Sequence, residues 1–227
     1  DNRKEFDIFA SMHTAKEVGG DFYDFYFIDE DHLAFLIADV SGKGIPAAMF
    51  MMRSKTIIKS YAESGMSVEE VFTLANEKLC EGNDAGMFVT AWMGILNIRN
   101  GKVLFANAGH NHPLVKHSDG TFEYLKSRAG FVLAGMEGVR YRKNELVLEP
   151  GDAIYLYTDG VTEATDLNEE LYGEDRLHSI LEKYKDETME VICSEIKKDV
   201  DLFAGEAPQF DDITMLALKF KGQEVIS

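Results

Sequence analysis

Positive charge is scarce in this sequence. The 227 residues include 23 Lys and Arg against 40 Asp and Glu, which gives a formal net charge of −17. Because sequence-independent binding to nucleic acid or to anionic lipid needs a basic surface, this composition argues against both kinds of partner. An acidic chain suits metal cations better, although most of the charge is expected on the solvated surface. With 45% apolar residues, the chain has enough material for the core of one globular domain.

Cysteine is also scarce, and long apolar runs are missing. Cys80 and Cys193 lie far apart in the sequence and outside any C-x-x-C pair, which excludes the common zinc and redox motifs. Both fall in helical patterns, and we interpret them as reduced structural thiols of a cytoplasmic protein. No apolar run reaches the ~18 residues of a membrane span. Residues 1–9 do not resemble a signal peptide and lack an initiator Met, so we expect a fragment of a longer protein.

Hydrophobic periodicity predicts a layered fold. Three strands come first, and Pro46 is placed for the first turn of a helix. Ser67 and Glu70 form a capping box ahead of a second helix. The Asn-Gly and Asp-Gly pairs at 100–101 and 119–120 favour tight hairpins, and the runs VRYRKNELVLE and DAIYLYTD continue this antiparallel meander. Two helical stripes and a strand, ITMLALKF, close the chain. This order predicts antiparallel sheet packed on sheet, with helix pairs on the outer faces.

The stretch LIADVSGKG, residues 36–44, ends an apolar run in a carboxylate and then turns through glycines. Gly42, Gly44 and Ala47 fit the loose fingerprint of a dinucleotide-binding loop. A phosphate-binding P-loop is excluded, because a glycine follows the Gly-Lys pair where Ser or Thr is required. The dinucleotide interpretation also needs a parallel βαβ unit, which the predicted hairpins oppose. The alternative is that Asp39, just before the glycines, is the functional residue.

Other hydrophobic strands carry an aspartate at one end as well. Asp159 follows AIYLYT, Asp211 and Asp212 precede the last strand, and Asp21 precedes FYDFY after two glycines. Ordinary turn chemistry explains Asp-Gly pairs, but it does not explain aspartates beside the most hydrophobic strands. If these ends converged, the carboxylates would repel one another unless cations bound between them. Oxygen-only ligands favour Mg²⁺ or Mn²⁺ over zinc, and two such ions about 4 Å apart can activate a water and clamp a phosphoryl group.

Six motifs occur in an order that resembles a known family. They are AKEVGGDFYDFY, LIADVSGKGIPAAMFM, FVTAWMGIL, FANAGHNHPL, LYTDGVTEA and FDDITMLAL. Together they resemble the metal-dependent serine/threonine protein phosphatases (PPM, or type 2C), in the bacterial branch named for stage II sporulation protein E. The resemblance covers about residues 6–220. It implies an α+β fold, a four-layer αββα sandwich of two antiparallel sheets flanked by helix pairs. We therefore expect one phosphatase domain at 1–220 and a C-terminal tail at 221–227.

The resemblance also implies a metal site with two Mn²⁺ or Mg²⁺ ions, a third being left open. Asp39 would bridge both ions, and the main-chain carbonyl of Val40 would be a further ligand. Asp159 and Asp211 would complete the shell of one ion, and Asp21 would reach the other, directly or through water. A water held by the metals would attack the phosphorus of phosphoserine or phosphothreonine without a covalent intermediate. Asp39 and Asp159 are therefore the residues on which catalysis is expected to depend.

The sequence departs from the eukaryotic pattern near this site. Ser41 stands where eukaryotic members carry a His, as is usual for the bacterial branch, so the general acid is not assigned. Several other residues have both a functional and a structural interpretation. Lys16 and Lys43 would either neutralise the charge of the phosphate or be solvated surface side chains. His110 and His112 would either act as a general acid or metal ligand or have a structural role. Asp24 and Asp212 would orient metal ligands, and Met49, Met51 and Met52 would fill the core or a pliable interface.

The sequence thus predicts a metal-dependent protein phosphatase of bacterial signalling. By resemblance, its substrate would be a phosphorylated regulatory protein of the anti-sigma-factor-antagonist type. An upstream sensor domain, anchored in a membrane or not, would act through the helical segment that begins at Pro46, a segment that plain core packing explains equally well. A homodimer is left open, whereas no nucleic-acid partner and no membrane span in this fragment are expected. The alternatives are a non-catalytic interaction module of the same fold and a dinucleotide-binding domain.

Overall fold

The computed structural model describes residues 3–117 and 120–223. Two compact units are distinguished in this part of the chain. Unit 1 contains residues 3–15, 111–117, 120–126 and 148–223, and unit 2 contains residues 16–110 and 127–147. The polypeptide passes from one unit to the other repeatedly, so each unit combines segments that are distant in sequence.

The described residues form ten strands and five helices. The strands are β1 (Phe6–His13), β2 (Phe22–Phe27), β3 (His32–Val40), β4 (Val89–Asn97), β5 (Lys102–Ala108), β6 (Leu114–Lys116), β7 (Phe122–Tyr124), β8 (Asn144–Val147), β9 (Ala153–Tyr157) and β10 (Ile213–Phe220). The helices are α1 (Ile45–Glu63), α2 (Val68–Cys80), α3 (Asp159–Thr162), α4 (Glu174–Lys183) and α5 (Met189–Ala204).

Unit 1 is built on a five-stranded antiparallel sheet in the order β1-β10-β9-β6-β7. Helix α5 packs against β1 and β10, and α4 packs against α5. The buried residues of α5 recur every three or four positions, as one face of a helix requires: Met189, Ile192, Cys193, Ile196 and Val200. Thr188 begins this helix, and its side chain accepts a hydrogen bond from the Val191 amide.

Unit 2 has the second antiparallel sheet, in the order β2-β3-β4-β5-β8. Helices α1 and α2 pack against each other, and each also contacts this sheet. The buried positions of α1 recur every three or four residues, as one face of a helix requires: Ala47, Phe50, Ser54, Ile58 and Ala62. The predicted capping box is confirmed, because the Ser67 amide donates to the Glu70 carboxylate at 3.0 Å ahead of α2.

An aromatic stack in unit 2 depends on a glycine. Trp92 lies between Phe35 and Phe105, with ring centroids 5.4 and 5.1 Å apart, and all three side chains are buried. A Cβ atom added to Gly94 would lie 2.7 Å from the Phe35 ring. The missing side chain therefore gives these rings the space that they occupy.

The predicted fold class is confirmed: an α+β fold with two antiparallel sheets and helix pairs. Every pairing between the named strands is antiparallel, so these sheets lack the parallel βαβ unit that a dinucleotide site requires. Gly101 has φ 73° and joins β4 to β5 as the hairpin signal predicted. The second signal includes Asp119, which lies outside the described residues, although β6 and β7 on either side of it pair as expected.

Two local predictions were wrong or incomplete. The run VRYRKNELVLE was predicted as a strand, but only Asn144–Val147 is one. The preceding segment is held by Tyr141, which packs edge-on against Phe72 and donates from its hydroxyl to the Val132 carbonyl. The short helix α3 was not predicted. Of the predicted tail, only residues 221–223 are described, and they form neither helix nor strand.

Candidate functional site

Two of the predicted aspartates lie at one edge of the unit 2 sheet. Asp39 is the next-to-last residue of β3, and Asp21 immediately precedes β2. Since Phe22 pairs with Ala38, Asp21 and Asp39 occupy the next pair of positions across the two strands. Residues opposite each other in an antiparallel pair share a face, with Cβ atoms about 5 Å apart. Asp21 is only 2% exposed and Asp39 is half-buried, so each carboxylate is partly desolvated.

A glycine lets the chain pass close to the Val40 carbonyl at this edge. A Cβ atom on Gly20 would lie 2.9 Å from the Val40 carbonyl oxygen, closer than real side chains allow. The glycine ahead of Asp21 therefore lets the β2 segment pass directly over that oxygen. Two carboxylates and a main-chain carbonyl are oxygen ligands of the kind that Mg²⁺ and Mn²⁺ prefer. The donor set at this edge therefore fits the predicted ions.

The glycines after Asp39 serve the turn. Gly42 and Gly44 have φ 86° and 78°, and a Cβ atom on either would meet nothing within 4 Å. Positive φ, rather than close approach to a neighbour, is thus what these positions require. Ser41 anchors the turn to Phe88: its amide donates to the Phe88 carbonyl and its hydroxyl accepts from the Phe88 amide, both at 2.9 Å.

The other two predicted aspartates lie at an edge of unit 1. Asp159 is the first residue of α3, separated from the end of β9 by Thr158 alone, and Asp211 lies just before β10. A Cβ atom on Gly160 would lie 2.0 Å from the carbonyl oxygen of Asp212, so the two segments touch through their backbones. Thr158 reinforces this contact, because its amide donates to the Thr214 carbonyl and its hydroxyl accepts from the Thr214 amide.

Hydrogen bonds of Asp212 and Gln209 stabilise the segment before β10. The Asp212 carboxylate accepts a hydrogen bond from the Ala15 amide at 2.9 Å, and the Asp212 amide donates to the Asp211 carboxylate at 2.9 Å. The Gln209 side chain donates to the carbonyls of His13 and Asp211. These bonds fix the segment that carries Asp211 against the end of β1. The bond to Asp211 comes from the main-chain amide of Asp212, so the orienting role of the Asp212 side chain stays a prediction.

His110 is held at the edge that carries Asp39. Its side chain is 5% exposed, and Nδ1 lies 2.9 Å from the Thr90 hydroxyl. Thr90 is the residue opposite Asp39 in the β3–β4 ladder. Asn107 fixes the loop, because its side chain accepts from the His110 amide and donates to the His110 carbonyl. Sequence reasoning missed Thr90 and Asn107, and only their places in the motifs FVTAWMGIL and FANAGHNHPL could have indicated them.

The remaining predicted residues have varied surroundings. Asp24 lies 3.8 and 3.7 Å from the ammonium groups of Lys55 and Lys59 on α1. Lys16 is exposed, and Lys43 and His112 are half-buried. Met49 and Met52 are 67% and 66% exposed on α1, whereas Met51 packs against the core. The core interpretation is therefore wrong for the first two methionines.

Neither cysteine is prepared to act as a nucleophile. Both thiols are free, as predicted. Burial raises the pKa of the Cys193 thiol to about 12, and burial, followed by the nearby Glu137 and Glu77, raises the pKa of Cys80. Because the thiolate is the reactive form, both groups are inert near neutral pH.

Each unit thus carries two of the predicted aspartates on neighbouring segments. Over residues 3–117 and 120–223, no group of three or more His, Cys, Asp or Glu side chains is placed to hold a metal ion. The joint site of four aspartates therefore stays a prediction. In the same ranges, no helix combines the length and apolar character needed to cross a membrane.

Comparison with known proteins identifies the family. The family model for stage II sporulation protein E matches residues 29–221. The chain therefore belongs to the stage II sporulation protein E family, which confirms the predicted bacterial branch of the PPM phosphatases.

A curated relative is similar in sequence, and solved structures are similar in fold. The chain is 32% identical to phosphoserine phosphatase RsbU of Bacillus subtilis over 95% of its own length. It spans 38% to 63% of the length of the first curated relatives that it matches. Its structure is similar to that of the RsbU and RsbW domains of Rv1364c from Mycobacterium tuberculosis, with a TM-score of 0.83, 25% identity and coverage of 96% of this chain and 62% of that one. It also matches RsbX in complex with magnesium, with a TM-score of 0.72 and 17% identity, over 97% of this chain and 98% of that one.

Proposed function

We propose that this protein is a Mn²⁺- or Mg²⁺-dependent protein serine/threonine phosphatase of bacterial signalling. The observation that carries the proposal is the unit 2 edge, where Asp21 and Asp39 lie at adjoining ends of β2 and β3 and the chain at Gly20 passes close to the Val40 carbonyl oxygen. Membership of a phosphatase family supports it, as does the similarity to RsbU, a protein named for phosphoserine phosphatase activity.

The proposed roles follow from the chemistry of the side chains. Asp39 and the Val40 carbonyl would hold ions at the unit 2 edge, with Asp21 reaching one of them directly or through water. Asp159 and Asp211 would supply the remaining carboxylates. Two bound divalent ions supply an activated water for attack on phosphorus and neutralise the developing charge. This chemistry requires no side-chain nucleophile, which is consistent with the inert thiols of Cys80 and Cys193. The complex of RsbX with magnesium is consistent with this choice of metal.

The proposed substrate is a phosphorylated regulatory protein of the anti-sigma-factor-antagonist type. RsbU and the structure that joins RsbU and RsbW domains support a place in such signalling. Residues 1–220 would form the catalytic domain, in the cytoplasm, under the control of a sensor module elsewhere in a longer protein.

Phosphate release by the purified protein tests the proposal. With Mn²⁺, we expect hydrolysis of p-nitrophenyl phosphate and of a phosphoserine peptide, and loss of both on addition of EDTA. Asp39→Asn and Asp159→Asn should each lower kcat by more than the roughly 10–100-fold loss typical of residues that only support metal ligands.

Asp29→Asn is a matched control, because Asp29 is an exposed aspartate of unit 2 that precedes β3, at the opposite end of that strand from Asp39. It should retain full activity. Full activity in both Asp39→Asn and Asp159→Asn would refute the metal assignment. Metal-dependent binding of a phosphoprotein without phosphate release would instead favour the interaction module.

A further inference from the structure

Three arginines of unit 2 line one cavity. Arg128, Arg140 and Arg142, together with Ala129 and Gly130, enclose a space of about 170 Å³ that no carboxylate lines. All three arginines are exposed. The cavity is smaller than the ~300–1,000 Å³ of sites that bind drug-sized ligands, so its size suits one side chain or a small anion.

These arginines differ from the many basic residues that form ion pairs. Lys143, next in sequence to Arg142, lies 3.2 Å from the Glu69 carboxylate, and Arg99 lies 2.6 Å from Asp31. By contrast, among the residues that the structure describes, no carboxylate lies within ion-pair distance of the guanidinium groups that line the cavity. In a chain with 40 acidic residues, three arginines around one cavity form a local basic surface. Guanidinium groups bind carboxylates and phosphates through paired hydrogen bonds.

The backbone places this cavity at the edge that carries Asp39. The Gly130 amide donates to the Asn107 carbonyl at 2.7 Å, and Gly130 forms a bridge with Ala108 at the end of β5. Three residues later, Leu133 and Val89 exchange amide-to-carbonyl hydrogen bonds at the start of β4. Because β3, β4 and β5 are antiparallel neighbours, the end of β3, the start of β4 and the end of β5 share one edge.

The second arm of the cavity is also anchored. Arg140 and Arg142 flank Tyr141, which is 6% exposed and whose amide lies 3.4 Å from the Thr73 hydroxyl on α2. The buried tyrosine fixes the backbone between two exposed arginines. The basic surface is therefore supported by packed structure on both sides rather than carried by a loose loop.

We infer that this cavity binds an acidic side chain of the phosphoprotein substrate, near the phosphorylated residue. The inference rests on the proposed phosphatase function and adds a substrate preference to it. A net charge of −17 repels acidic partners in general, so a basic surface at the Asp39 edge would both attract such a segment and orient it.

Paired phosphopeptides test the inference. One peptide carries glutamates beside the phosphoserine, and its partner carries glutamines at the same positions. The parent protein with Mn²⁺ should prefer the acidic peptide at low salt, and ~0.5 M NaCl should remove the preference, because exposed charges are then screened. The variant Arg128→Gln/Arg140→Gln/Arg142→Gln should lose about tenfold in kcat/KM for the acidic peptide, mainly through KM. Its activity on the neutral peptide and on p-nitrophenyl phosphate should stay within about twofold of the parent.

The matched control is Lys78→Gln/Lys183→Gln/Lys198→Gln, which removes the same number of positive charges from exposed sites elsewhere. It should keep the preference for the acidic peptide. The inference would be overturned if the parent showed no preference for the acidic peptide, or if the arginine variant kept that preference. In either case the phosphatase assignment would stand. A parent that releases no phosphate from any substrate would refute the proposed function itself. Arginine-dependent inhibition of all substrates alike by inorganic phosphate would show a simple anion site, and arginine-dependent binding to phosphatidylserine vesicles would show a membrane contact. Either result would overturn the substrate assignment.

Discussion

The two units hold their aspartates at strand edges by different means. In unit 2, the ladder register sets Asp39 opposite Thr90, and the turn that follows is relaxed, since Gly42 and Gly44 need only their positive φ angles. In unit 1, Asp159 begins a short helix whose next residue, Gly160, presses against the carbonyl of the segment that carries the partner aspartate. Both edges include a close backbone approach, but an added Cβ atom would lie 2.9 Å from the Val40 carbonyl oxygen at Gly20 and only 2.0 Å from the Asp212 carbonyl oxygen at Gly160. The unit 1 edge should therefore tolerate less change.

Gly160→Ala should have the largest effect. The added methyl group would lie 2.0 Å from the Asp212 carbonyl oxygen, so the backbone on one side must move. We expect a loss of about 3 kcal/mol in the free energy of unfolding, at the upper end of typical overpacking costs. Urea denaturation followed by circular dichroism measures it. Gly42→Ala is the control for loss of a glycine without a contact, and a cost for Gly160→Ala no greater than for this control would refute the backbone-contact account.

Gly20→Ala should have a smaller effect on stability and a specific effect on metal binding. Its methyl group would lie 2.9 Å from the Val40 carbonyl oxygen, a milder conflict than at Gly160. We expect a loss of about 1–2 kcal/mol and weaker binding of Mn²⁺ in calorimetric titrations, because the carbonyl must shift. If stability falls while Mn²⁺ affinity is unchanged, the Val40 carbonyl is not a ligand.

The smallest effect concerns pH and lies at the unit 1 edge. Burial, assisted by Lys197, lowers the pKa of His13 from its ordinary value of 6.5. At a pH between the pKa of His13 in the folded protein and its pKa in the unfolded chain, the unfolded chain binds more protons. The contribution of neutral His13 to stability is therefore complete above about pH 6.5 and is lost as the pH falls through the pKa of the folded protein. Stability should therefore decline slightly from pH 7 to below 6, and His13→Gln should flatten that decline. Urea midpoints at each pH measure the decline in both proteins. If stability falls with pH as steeply in the variant as in the parent, other groups cause the effect.

Local signals in the sequence were sufficient for much of the fold. The helix from Pro46 and the capping box at Ser67 are determined by residues close to one another in sequence. The Asn-Gly hairpin is determined by the two residues at its centre. These were predicted because each motif carries its own conformational preference. The irregular segment around Tyr141 was not, since its conformation depends on contacts with Phe72 and Val132.

The candidate site shows the same division. The positions of Asp21 and Asp39 at strand ends were evident from hydrophobic patterning, and the structure places them beside the last β2–β3 pair, Phe22 and Ala38. The contact of Gly160 with Asp212 and the bond from Thr90 to His110 join residues distant in sequence. Such contacts depend on tertiary packing, and neither periodicity nor spacing reports them.

Gly94 and Gly160 differ in whether a second substitution could relieve the steric conflict of an added side chain. At Gly94 an added methyl group would meet the rings of Phe35 and Trp92, so a smaller side chain at one of those positions could restore the space. At Gly160 the obstacle is a carbonyl oxygen, which every amino acid at position 212 would carry. No second substitution at that neighbour could therefore relieve the conflict. A suppressor screen should recover compensating changes for Gly94→Ala at the facing aromatic positions. For Gly160→Ala it should recover none at position 212, so no side-chain change at that neighbour can compensate for loss of this glycine.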